Sequence, residues 1–128
     1  MSDYTITNLS DVEDVAAAYG VGEAGVIRFP REAVEAQSTG FAHLQLRPGA
    51  RHPFPHRHER AEEIYVVLSG SGTIKLEDER RNLSRHDVVR VAPTVTRGFE
   101  AGPDGLELLA FGARVEGDGE IVEGFWGE

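Results

Sequence analysis

The sequence contains no cysteine, which excludes disulfides and thiolate metal sites and is compatible with a reducing compartment. Lysine occurs once, at Lys75, and the formal net charge is −9. Phosphate backbones and anionic lipid surfaces both require clustered positive charge, so neither nucleic acid nor a membrane surface is an expected partner. No run of residues is long and apolar enough to span a bilayer. Met1 to Ser10 has neither the basic start nor the apolar stretch of a secretory signal, so the expected location is the cytoplasm. Internal repeats and low-complexity linkers are also missing.

What remains is an ordinary globular composition, 40% hydrophobic and 27% charged over 128 residues, enough for one domain with a real core. Tyr4 to Thr7 suits a short leading strand. Ser10-Asp11-Val12-Glu13 has the form of a capping box, predicting a short helix over Asp11 to Tyr19 that Gly20 would end in a left-handed turn. Gly25 to Phe29 reads as a strand, while Pro30 to Gln37 is ambiguous. From Gly40 onward the pattern is β throughout. Phe41 to Leu46 runs to the Pro48-Gly49 turn. Glu63 to Leu68 and Thr73 to Leu76 flank Ser69-Gly70-Ser71-Gly72, which reads as a hairpin. Asn82 to Leu83, Val88 to Val91, Arg97 to Glu100 and Leu106 to Phe111 are further short strands, the last two separated by a turn at Gly102-Pro103-Asp104-Gly105. Short strands at regular spacing predict an all-β sandwich or barrel. Residues 1–39 form an N-terminal arm, 40–115 the barrel and 116–128 a tail. Phe125 and Trp126 of that tail are expected to dock on the barrel or on a second subunit.

The stretch that carries chemistry is His56-Arg57-His58 followed by Glu62-Glu63. Strand side chains alternate faces, so the two histidines share a side and Arg57 points away. Their Cα atoms would lie about 6.6 Å apart, a span from which two imidazoles converge on one ion. Glu63, on one face with Tyr65 and Val67, is the preferred carboxylate. Two histidines and a carboxylate suit Zn, Fe, Mn or Ni and leave coordination positions open. The plainer alternative is a polar pocket of hydrogen-bonded histidines with no ion. Arg97 is read either as an anchor for a ligand carboxylate or as an ion-pair partner of an acidic barrel residue such as Glu63. His52 is a candidate for the pocket mouth, although a surface position suits its proline-rich loop better. Tyr65 is a further candidate ligand contact, with barrel packing as its simpler role. His86 is expected to be exposed at a turn, and His43 to be a satisfied core or surface histidine.

Gly49, His56, His58, Glu63 and Gly70 together resemble the first motif of the cupins, with six rather than five residues between Gly49 and His56. The stretch from Leu46 to Gly112 is similar to small single-domain bacterial cupins. The resemblance implies a double-stranded β-helix (jelly-roll) barrel, here with a short N-terminal helix, that often pairs as a homodimer and binds a small molecule. Asp87 to Pro93 keeps the body of the family's second motif, but the marked positions of that motif do not match. His86, Ala92, Thr94, Arg97 and Ala101 replace its glycine, proline, second glycine, histidine and asparagine. A fourth ligand is therefore lost, since arginine does not ligate metals. Two functions are expected from this set. One is a metal-dependent protein, potentially an enzyme, acting on a small anionic organic molecule. The other is a metal-free module that senses or sequesters such a molecule.

Overall fold

The computed structural model describes residues 3–127, leaving the first two residues of the N-terminal arm and the last of the tail outside the described residues. Eight antiparallel strands follow in order: β1 (Gly25–Arg28), β2 (Thr39–Leu46), β3 (His56–His58), β4 (Glu63–Leu76), β5 (Glu79–Ser84), β6 (Val88–Val91), β7 (Arg97–Ala113) and β8 (Gly119–Ile121). They form one curled sheet in which the long strands β4 and β7 each belong to both walls. One wall runs β1, β2, the second half of β7, the first half of β4, then β6. The other runs β5, the second half of β4, the first half of β7, β3, then β8. Inward positions alternate along the strands, so Leu44 and Leu46, Tyr65 and Val67, and Leu106 and Leu108 fill the interior with Ile74 and Phe99.

Three local predictions are corrected by the fold. Ser69 to Gly72 is not a hairpin, because β4 runs straight through it and turns only at Glu77-Asp78. Gly102 to Gly105 likewise reverses nothing, because it is an excursion inside β7. Gly72 pairs with Ala101 and Gly70 with Leu106, so residues 102–105 face Ser71 alone. Both glycine-rich runs are bulges that bend a continuous strand from one wall to the other. They meet there: a Cβ on Gly70, whose φ is +77°, would lie 2.1 Å from the Gly105 carbonyl oxygen. Glycine marked a close backbone approach rather than a chain reversal.

The third correction concerns the N-terminal arm. Residues 11–19 form no α-helix, and Tyr4 to Thr7 forms no strand. A single 3-10 turn spans Leu9–Asp11, capped by Asn8, whose Oδ1 accepts from Ser10 N at 2.9 Å. A nine-residue helix is short to nucleate on its own, and here its backbone is claimed by β1. Val15 N donates to Ile27 O, while the Asp14 carboxylate accepts from both Ala16 N and Ile27 N. Gly20 does take the left-handed conformation, at φ +76°, closing a turn. In the tail, Phe125 and Trp126 pack against Gly98 of the same chain. Lys75 Nζ sits 4.4 Å over the Phe125 ring, and Arg51 lies 4.7 Å over Trp126.

Candidate metal centre

β3 carries His56 and His58 on one face and turns Arg57 outward, where its Nε meets Glu120 at 3.0 Å. Glu63 opens β4, held between Val91 of β6 and Gly112 of β7. Ligand atoms of His56, His58 and Glu63 all lie within 4.8 Å of one another. A single oxygen, Glu63 Oε1, is the focus. His56 Nε2 is 3.1 Å from it, His58 Nε2 3.0 Å, and the Tyr65 hydroxyl donates to it at 2.5 Å.

The imidazoles are held in a particular state. His56 Nδ1 lies 3.0 Å from the Phe54 carbonyl oxygen, which can only accept, so Nδ1 carries a proton. In the neutral ring Nε2 is then a bare lone pair facing a carboxylate oxygen. His58 is 3.0 Å from Glu63 and 3.2 Å from Asp118 Oδ2, yet neither of its ring nitrogens makes an aligned hydrogen bond. The two unpartnered nitrogens of His58 beside these carboxylates are relieved either by protonating a ring or by a cation between them. On this observation the residues present fit a divalent cation.

Burial raises the Glu63 carboxyl, but the polar groups of His56, His58 and Tyr65 gathered around it outweigh that and hold the group far below the usual carboxylate range. Tyr65, 2% exposed, is pushed well above its ordinary value by burial and then by the Glu63 charge. Asp118 is the residue that sequence reasoning missed. Burial acts to raise its carboxyl, but donors from Ala61 N and Arg60 N, followed by the His58 charge, bring it below the ordinary value. It belongs to the glycine-flanked tail, fifty-five residues beyond Glu63, and no local spacing ties it to the histidines.

Arg97 sits opposite His56 in the β3–β7 register, so both side chains project to one side. It is fully buried. Nη2 donates to Ala92 O at 3.1 Å, Nη1 is 3.8 Å from Glu63 Oε1, and Nε and Nη1 have no hydrogen-bond partner. His52 is buried rather than on the surface, and burial followed by the nearby His56 lowers it to about 4. His43 is a satisfied buried histidine, 2.8 Å from Glu107 Oε2, and His86 is exposed at a turn with φ +73°.

Two cavities reach the centre. The barrel interior encloses about 370 Å³ between apolar walls, with His52, His56, His58, Glu63 and Tyr65 on its lining and no arginine or lysine. A wider pocket of about 570 Å³ approaches His58, Glu63 and Asp118 from the side of the N-terminal arm. Arg97 lines neither.

The family described as "Cupin domain" matches residues 42–111, more than half of the chain, and the chain belongs to it. Solved structures of the same fold include a cupin protein from Bacteroides fragilis, at 24% identity and TM-score 0.72, covering 91% of this chain and 89% of that one. A sugar phosphate isomerase of the cupin superfamily from Silicibacter pomeroyi aligns at 16% identity and TM-score 0.74, covering 92% and 82%. KdgF from Halomonas sp. aligns at 24% identity and TM-score 0.65, covering 91% and 97%. A search of curated proteins finds no match.

Proposed function

We propose that the chain holds one divalent cation on His56, His58 and Glu63 and binds a small anionic organic molecule beside it. The observation that carries this reading is the convergence of three ligand-type side chains on one point while His58 lacks any aligned partner. Two imidazoles and a carboxylate within 4.8 Å of one another suit Zn, Fe, Mn or Ni. A cation bound there supplies Lewis acidity toward a ligand oxygen. The protein's own groups do the rest: Asp118 orients His58, Tyr65 fixes Glu63, and His52, kept neutral, offers a hydrogen bond inside the barrel. Arg97, shut away from both cavities, serves as the fixed counter-charge of Glu63 rather than as the ligand's anchor.

The related folds include a sugar phosphate isomerase, an oxalate decarboxylase and the polyketide cyclase RemF, whose chemistries differ, so the fold does not select a reaction. A metal-free binding module is the second reading. It is favoured by one observation: Glu63 already has Tyr65, His56 and the Arg97 charge around it. We also infer a homodimer in the cytoplasm without nucleic-acid partners. The exposed Tyr4 and Ile6 of the arm supply apolar area for the dimer, and the charge of −9 argues against nucleic acid. Among the described residues no helix is long and apolar enough to cross a membrane.

Metal analysis of protein purified without chelators tests the centre. The wild type is expected to carry close to one equivalent of a transition metal and His56→Ala next to none, with both folded. Metal-free protein in both cases, after loading with Mn²⁺ or Fe²⁺, would leave only the binding module.

A further inference from the structure

We infer that Arg31 and Arg114 form the handle for the ligand's anionic group, in the wider pocket that opens beside the N-terminal arm. This rests on reading His56, His58 and Glu63 as the centre at which the ligand's other end lies. Three observations lead here. Arg97, the arginine that the sequence singles out, is fully buried and lines no cavity at the centre. Among the described residues no arginine or lysine lines the cavity inside the barrel. In the wider pocket, by contrast, two arginines, Arg31 and Arg114, are on a lining that also includes His58 and Glu63.

Both arginines are placed by a tied-down loop. Arg31 follows Pro30, and its carbonyl accepts from Ala36 N at 2.9 Å; Arg114 directly follows β7, and its N donates to Ser38 O at 3.0 Å. Residues 31–38 thus link the two positions. Arg31 Nε is buried without a hydrogen-bond partner. Glu13 and Glu32 share the pocket lining, yet among the described residues neither forms an ion pair with Arg31 or Arg114. A buried guanidinium donor without an acceptor is costly, and a bound oxyanion is the group that satisfies it. Asp118 adds a carboxylate at the His58 end, where backbone N–H groups of Arg60 and Ala61 already occupy it, and Val12, Val15, Phe29 and Phe41 make an apolar part of the wall. A volume of about 570 Å³ accommodates a small organic molecule. The ligand class is therefore a short organic anion, a carboxylate or a phosphate ester, with a polar oxygen at its far end for the His58–Glu63 side.

Calorimetric titration of the full chain with glycerol 3-phosphate and, separately, with malonate tests the handle. At least one probe is expected to bind, and the stronger identifies phosphate or carboxylate as the group. Binding is expected to weaken by about tenfold or more in Arg31→Gln/Arg114→Gln, while Mn²⁺ loading stays at the wild-type level. Should the double variant not fold, Arg114→Gln alone, at an exposed position, is expected to weaken binding by about threefold or more. Arginine-dependent anion binding in a protein that takes up no metal would retain the handle and discard the metal reading. No binding of either probe, equal binding by wild type and variant, or joint loss of anion and Mn²⁺ would overturn the handle.

Discussion

At the scale of single residues the site is governed by how charge is shared around Glu63 Oε1. Arg97 Nη1 stands 3.8 Å away with no hydrogen bond to it, so its influence is Coulombic. Two unit charges near that separation interact by about 4 kcal/mol at an effective dielectric of about 20. That attraction steadies the carboxylate but opposes a second cation arriving at the same oxygen. Arg97→Met keeps most of the volume and removes the charge together with two unpaired buried donors. Metal affinity in this variant, read by competition with a fluorescent chelator, is expected to rise by about tenfold or more, while the metal-free protein melts at a lower temperature because Glu63 loses its counter-charge and the Ala92 carbonyl its donor. Unchanged affinity would show that Arg97 does not act on the centre.

At the scale of elements, the two long strands turn the corner between walls without stopping, and glycine makes this possible. Gly70 combines φ +77° with a backbone oxygen 2.1 Å from where a Cβ would stand. Gly49 has a similar φ, +74°, but nothing within 4 Å. Gly70→Ala is expected to cost about 3 kcal/mol or more, strain and overlap combined, while Gly49→Ala costs about 1 kcal/mol of strain alone. Urea unfolding midpoints separate the two, and equal losses would refute the close approach at the bulge. The same residues show why the strand layout was only partly legible. Ser-Gly-Ser-Gly and Gly-Pro-Asp-Gly carry turn chemistry. Whether such a run reverses the chain or bends it depends on a partner strand far away in sequence. The convergence of His56, His58 and Glu63, by contrast, was legible because alternation along a strand is a local rule.

At the scale of the whole molecule, the barrel sets the environment of groups that no local pattern marks. His52 sits in a loop between prolines, yet the closed wall buries it to 8% exposure and lowers it to about 4 from 6.5. The folded state thus prefers neutral His52, whereas the unfolded chain takes up the proton near pH 6.5. Stability is fully present above that pH and is lost as pH falls through about 4. A shift of this size is worth about 3 kcal/mol. His52→Phe removes the titration while keeping an aromatic ring. The wild type is expected to lose about 3 kcal/mol more than this variant between pH 7 and pH 4, measured by chemical denaturation at each pH. Parallel profiles would show that His52 is protonated in the folded state.

Sequence by itself determined the class of fold and pointed to His56, His58 and Glu63 as side chains that meet at one place. The shared face of His56 and His58 follows from strand alternation at short spacing, and the fold from the strand pattern together with the resemblance to the cupin motifs. Tertiary structure decided the rest. It replaced the expected N-terminal helix by a turn bound to β1, and it merged four expected strands into β4 and β7. It also sealed Arg97 away from the cavities, and it brought Asp118 from the tail to His58. Those outcomes depend on which distant backbone closes over a given segment, and that is set by the packing of the whole barrel rather than by any run of neighbouring residues.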